Sequence, residues 1–231
     1  MRHIVRIRSE YYEHDASKYR LGLSQQTIIQ SLRKQSFQDF HVILEVSPMD
    51  PLYSARIDAF NGIGLGLQLL EHYRRPPGPF LETTVGDDDF LNANLFAALQ
   101  QAPVSSQNVS LEVPNGYIFH DGKLHVLRNR PGIVNTVQWY NPDRGIGESM
   151  VLSELPYWIY VRHRQNRSLL DRKLLFSPEV QGLCWPGWNG GLVDRLARVK
   201  VAEASCFGST LHPTKSKSVV FARGTRSRRR D

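Results

Sequence analysis

Cysteine is scarce in this chain: Cys184 and Cys206 are the only two among 231 residues, and they lack CxxC spacing. That excludes a secreted disulfide framework and a cysteine-based zinc knuckle, and it fits a reducing compartment. Long apolar runs are also missing. Stretches such as Tyr157 to Val161 fall far below the roughly 20 residues that cross a bilayer, so no membrane span is expected. The N-terminus, with Arg and Glu scattered through its first residues, does not read as a signal peptide. No internal repeat is present. With 41% hydrophobic and 22% charged residues, the composition is that of a globular protein rather than a disordered or fibrous one.

A formal net charge of +7 suggests a polyanion binder until the charge is located. Residues 215–231 hold seven basic side chains (Lys215, Lys217, Arg223, Arg226, Arg228, Arg229, Arg230) against the single acid Asp231. The preceding 214 residues are left with 22 basic and 21 acidic groups and are nearly neutral. Residues 1–214 are therefore read as one domain and 215–231 as a basic, solvated tail able to attract anionic lipid headgroups. Nucleic acid is not the expected partner of the folded body.

Hydrophobic periodicity predicts an α/β fold. His3 to Arg8 alternates apolar and basic residues, as a strand does. Leu23, Ile28, Ile29 and Leu32 fall at helical spacing, with Ser24 as the expected N-cap. Phe40 to Val46 reads as a buried strand, so the three segments form a βαβ unit with parallel strands. Helical pieces are expected over 53–60 and 65–74, a third strand over 80–85, and a helix from Phe90 to Gln101. Short strands are predicted at 116–119, 124–127, 134–140 and 158–163. Turn residues mark loops at 141–147 and 184–191. The expected architecture is a doubly wound, mostly parallel sheet flanked by helices, with an irregular mixed C-terminal half.

The third strand runs into Asp87, Asp88 and Asp89. Three adjacent carboxylates repel, and each raises the others' pKa unless something compensates. Mg²⁺ or Mn²⁺ does so, because these ions take one or two carboxylates and fill their remaining positions with water and phosphate oxygens. In open parallel sheets ligands bind beyond the carboxyl ends of strands, where this cluster is expected. In an extended stretch Asp87 and Asp89 point the same way and Asp88 the other, so the first and third would share the ion. The competing expectation is a solvated acidic turn with Asp89 as N-cap of the helix from Phe90. Arg8, ending the first strand, and Arg56, just past the second, are placed to meet nucleotide or diphosphate oxygens.

Four phrases in order, Ser31-Leu-Arg-Lys-Gln-Ser-Phe-Gln-Asp-Phe40, Thr84-Val-Gly-Asp-Asp-Asp-Phe-Leu91, Asn115-Gly-Tyr117, and Glu154 followed by His163 and Asn166, resemble the GT-A nucleotide-sugar glycosyltransferases. More narrowly, the chain resembles the bacterial rhamnosyltransferase family over roughly residues 20 to 170. It departs from that family where Val85 and Gly86 stand in place of an Arg and an extra acid. The metal pair is then either Asp87 with Asp89 or Asp88 with Asp89.

The resemblance implies metal-dependent sugar transfer from a nucleotide-diphosphate donor to a glycan or other hydroxyl acceptor. The enzyme would act in the cytoplasm, with the tail offering contact to the inner face of the membrane. It implies Asp87, Asp89 and His163 as Mn²⁺ or Mg²⁺ ligands and Arg8, Arg56 and Asp88 as donor contacts. Glu154 or Glu148 would be the general base that deprotonates the acceptor. Trp185 and Trp188 would stack on an acceptor ring. Two other readings compete: a non-enzymatic polyanion or membrane-surface binder using the Arg-rich tail, and a metal-dependent phosphoesterase. The phosphoesterase lacks a second acidic or histidine cluster for a two-metal site.

Overall fold

The computed structural model describes residues 1–9, 14–120, 123–128, 134–153 and 155–161. In chain order these form β1 (Arg2–Arg8), α1 (His14–Gln26), α2 (Ile28–Arg33), β2 (Phe40–Glu45), α3 (Tyr53–Phe60), β3 (Leu67–Leu69), a single 3₁₀ turn (Leu70–His72), β4 (Phe80–Gly86) and β5 (Phe90–Leu91). There follow α4 (Leu95–Gln100), β6 (Val109–Glu112), β7 (Gly116–His120), β8 (Lys123–Leu127), β9 (Asn135–Trp139), β10 (Glu148–Val151) and β11 (Trp158–Val161).

Seven strands make one mixed, mostly parallel sheet in the order β10-β6-β9-β4-β1-β2-β3. β1 pairs in parallel with both β2 and β4, and β2 with β3. Only β9 runs against its neighbours β4 and β6. The chain thus leaves β1 toward β2 on one side and returns to β4 on the other. A crevice opens at such a reversal, beyond the carboxyl ends of the two strands, and ligands of doubly wound sheets bind there. A smaller sheet, β5-β11-β7-β8, packs its apolar residues Ile118, Leu127, Trp158 and Tyr160 into the same core.

β1 is buried on both faces, as a central parallel strand should be. His3, Val5 and Ile7 are covered on one side and Ile4 on the other. Val5 and Ile7 join Ile28, Ile29 and Leu32 of α2, Phe40, Val42 and Leu44 of β2, and Phe96 of α4 in the principal core. A smaller cluster of Ile4, Ile43, Phe80, Val137 and Trp139 lies on the opposite face beneath Leu70 and Tyr73.

Several expectations are corrected. The first helix begins at His14 rather than near Ser24, and it breaks at Thr27 into α1 and α2. Ser24 lies inside α1, where its hydroxyl donates to the Arg20 carbonyl at 2.8 Å. Residues 65–74 form β3 and a 3₁₀ turn, not a helix. Gly64 has a left-handed φ of +60°, and a Cβ there would clash with the Phe40 carbonyl oxygen, so both call for glycine. The Leu65 amide then donates to that carbonyl at 2.8 Å and brings the chain to the edge of β2. The helix expected from Phe90 starts at Leu95 instead, after β5. Of the second half, β9, β6 and β10 extend the first sheet, and β7, β8 and β11 join the smaller one. The 215–231 tail, both cysteines, Trp185 and Trp188 lie outside the described residues.

Candidate functional site

The aspartates lie just beyond the carboxyl end of β4, at the reversal. Arg8 is level with Gly86 in the register of β1 and β4, so Ser9 and Asp87 are the first residues beyond the two strand ends. Asp87, Asp88 and Asp89 are 0%, 6% and 4% exposed, which excludes the solvated acidic turn. They form a turn rather than an extended run, so the alternation expected of their side chains does not apply.

Asp87 points toward α1. Its Oδ2 accepts from Ser9 Oγ at 2.6 Å and Ser24 Oγ at 3.2 Å, and its Oδ1 accepts from Arg20 Nη2. Arg56 Nη1 lies 3.6 Å from the same carboxylate. Arg20 also donates through Nη1 to Asp88 Oδ2 at 2.5 Å, so one guanidinium fork spans two neighbouring acids. Ser17, Arg20 and Ser24 recur at helical spacing on one face of α1, and Thr27 follows with its Oγ1 3.4 Å from the Asp87 carbonyl. This polar stripe is the sequence signal for the site's inner wall, and sequence reasoning missed it.

Arg56 does not reach toward a ligand. It is completely buried and donates through Nε to Asp50 Oδ2 at 3.0 Å and through Nη2 to Ser17 Oγ at 2.8 Å. Ser17 in turn donates to Asp50 Oδ1, and the Leu52 amide does so at 2.9 Å. The expected diphosphate contact is therefore a bridge between α3, α1 and Asp87. Asp50, also overlooked in the sequence, is its main counter-charge. Arg8, by contrast, is exposed at the strand end beside Gly86.

Asp89 sits against the second sheet, with its Oδ1 3.3 Å from the Val161 amide that donates to it. Burial pushes the Asp89 carboxyl well above the usual carboxylate range, and the neighbouring Asp88 charge adds to the rise. Four buried carboxylates (Asp50, Asp87, Asp88, Asp89) face two guanidiniums (Arg20, Arg56). Gly86 shows where one oxygen from each of Asp88 and Asp89 converges. A Cβ on this residue would lie 2.7 Å from Asp88 Oδ1 and 3.2 Å from Asp89 Oδ2, so two carboxylate oxygens flank a space that any side chain would fill.

Such a hard oxygen pair fits Mg²⁺ or Mn²⁺. Among the described residues no group of three or more His, Cys, Asp or Glu surrounds a single point, which leaves most of an ion's coordination to water and ligand oxygens. Asp87, saturated by Arg20, Ser9 and Ser24, is not part of this pair.

The segment after the aspartates is clamped by the phrase Ser31 to Phe40. Ser31 Oγ accepts from the Leu91 amide at 3.0 Å. The Gln35 side-chain amide donates to the Asn92 carbonyl at 2.9 Å and accepts from the Phe96 amide at 3.1 Å. The Ser36 amide donates to the Ala93 carbonyl at 2.8 Å. In Asn115-Gly-Tyr117, Gly116 lets β7 approach the Trp158 ring, whose Nε1 donates to the Val113 carbonyl at 2.7 Å.

Glu148 is set apart from the site. Its register runs through Val109 and Gln138 to Leu81, which places it about 14 Å across the sheet and about 20 Å along it from the aspartates at ordinary strand spacings. Glu154 and His163 lie outside the described residues.

No family model matches this chain, and no curated protein matches it. Solved structures to which it is similar include the WbbM bifunctional glycosyltransferase, at 10% identity and a TM-score of 0.36, with 58% of this chain and 30% of that one covered. This chain thus spans under a third of that protein. A second is the 4-diphosphocytidyl-2C-methyl-D-erythritol synthase of Anaerococcus prevotii, at 9% identity and a TM-score of 0.34, over 76% and 95% of the two chains. A third is the inositol-1-phosphate CTP transferase of T. maritima, at 8% identity and a TM-score of 0.34, over 85% and 96%.

Proposed function

We propose that this protein transfers a sugar from a nucleotide-diphosphate donor to an acceptor hydroxyl, with Asp88 and Asp89 holding Mn²⁺ or Mg²⁺ against the donor's diphosphate. The observation that carries the reading is the convergence of Asp88 Oδ1 and Asp89 Oδ2 on the space left open by Gly86, at the sheet's point of reversal. The resemblance of the four sequence phrases to the GT-A glycosyltransferases supports it, and rhamnose is the sugar that the narrower resemblance suggests.

When bound, the ion offsets the negative charge that develops on the departing nucleoside diphosphate. The chain's own groups prepare the place for it. Arg20 holds one oxygen of Asp88, which orients the other toward Gly86. The Val161 amide does the same for Asp89. Arg8, exposed at the rim, offers a guanidinium to a phosphate oxygen. Ser31 and Gln35 fix the backbone that follows the acids, so the pair is positioned before a ligand arrives. Acceptor activation is assigned to Glu154 on the strength of the resemblance.

The test is a thermal-shift panel of UDP, GDP and dTDP with and without Mn²⁺. A ligand that binds only the folded state at 100 times its Kd stabilises it by about 2.7 kcal/mol. At least one nucleotide is expected to raise Tm in a metal-dependent way. Failure of all three in the presence of Mn²⁺ rejects the proposal. The competing polyanion reading predicts instead that removal of the residues after Thr214 abolishes a salt-sensitive affinity while any nucleotide shift is untouched.

A further inference from the structure

We propose that the face of the large sheet turned away from α2 and α4 carries a second site, for a small amphiphile that joins an apolar body to a phosphate or carboxylate. A cavity of about 500 Å³ lies there, floored by Ile4 of β1 and Ile43 of β2 and rimmed by Arg2, His41, Tyr73 and Arg74. This volume falls within the roughly 300–1,000 Å³ of sites that take small organic ligands. It is remote from the aspartates. Arg2 and Ile4 lie four to six register positions before Gly86's partner Arg8, about 13–20 Å back along the strand, and on the other sheet face from Val5 and Ile7.

The cavity exists because the connection between β3 and β4 covers this face thinly, with one 3₁₀ turn and a proline-rich loop instead of a helix. The charged side chains that line it, Arg2 and Arg74, are of one sign. The neighbouring cations Arg6 and Arg75 are matched by Glu45 at 2.7 Å and Glu82 at 3.1 Å. Arg2 and Arg74 have no carboxylate partner among the described residues, and Arg74 Nη1 donates only to the carbonyls of Glu71 and Tyr73. The Tyr73 ring lines the cavity while its hydroxyl is buried behind it. Two unmatched guanidiniums beside an apolar floor match an anionic head on an apolar body.

The probe is octyl phosphate, titrated below its micelle concentration into the full-length protein and followed by calorimetry and thermal shift, with inorganic phosphate and octanol as separate arms. Octyl phosphate is expected to bind saturably at least tenfold more tightly than either fragment. The double variant Arg2→Gln/Arg74→Gln changes two exposed side chains and should keep the wild-type Tm, yet bind octyl phosphate at least tenfold more weakly. Absence of saturable binding, equal affinity for inorganic phosphate, or unchanged affinity in the double variant would overturn the proposal. Nucleotide shifts with Mn²⁺ serve as an independent readout, since they concern the aspartates alone.

Discussion

Asp89 pays in stability for its position, and the sign of that cost can be tested. Its folded-state pKa is raised, chiefly by burial, so its contribution is fully present below the carboxylate's unfolded pKa and is lost as pH rises. Asp89→Asn keeps an acceptor for the Val161 amide and removes the charge. Without metal this variant should melt a few degrees higher than the parent at pH 7, and it should lose the Mn²⁺-dependent part of any nucleotide shift. His3 runs the other way. Burial lowers its pKa to about 3, and its Nε2 lies 2.8 Å from Thr83 Oγ1. Its contribution is present above the unfolded value near 6.5 and declines as pH falls toward 3, because the unfolded chain binds the proton first. Chemical denaturation at a series of pH values should show this loss, and His3→Phe should flatten it. Gly86→Ala drives a methyl group to 2.7 Å from Asp88 Oδ1, a carboxylate that Arg20 holds in place. It should lower Tm measurably and abolish the metal-dependent shift, as read by melting with and without Mn²⁺.

At the scale of elements, the parts of the fold that follow from local pattern were legible. The period-two alternation of β1, the apolar run of β2 and the apolar register of α2 gave a βαβ unit, and a strand ending at Asp87 followed from its β-branched residues. What failed depended on distant partners. Ser24 looks like an N-cap from its neighbours alone, but its hydroxyl lies within reach of Asp87, 63 residues away. Residues 90–94 carry a helical pattern, yet Leu91 and Asn92 are fixed by Ser31 and Gln35 of α2 and its C-terminal turn. Within 65–74, Leu67–Leu69 is drawn into a strand by pairing with β2, and propensity contains no such information. The clamp suggests its own test. Gln35→Ala leaves the Phe96 amide without this partner, while the Asn92 carbonyl keeps the Leu95 amide. It should cost about 1–3 kcal/mol in urea denaturation, the cost of one buried group left unsatisfied.

For the molecule as a whole, the candidate site is a property of topology more than of any segment. Asp50, Arg20 and Asp87 come from three stretches of chain that meet because β1 has β2 on one side and β4 on the other. The sequence displayed the three aspartates but not Arg20, which holds two of them, since isolated basic residues in helices are ordinarily solvated. Arg56, read from the sequence as a diphosphate contact, is instead wholly buried. Removing one member of a buried ion pair strands its partners and costs about 3–5 kcal/mol. Arg56→Ala should therefore lower global stability by that order, measured by denaturant melts, well beyond what an exposed arginine contributes.

The two-pronged grip of Arg20 on Asp87 and Asp88 carries one further implication, for protein engineers. Lysine would preserve the formal charge of +7, but its ammonium is a point that reaches one acid well and the next poorly. Shape, not electrical tally, is what evolution would have to conserve at this position.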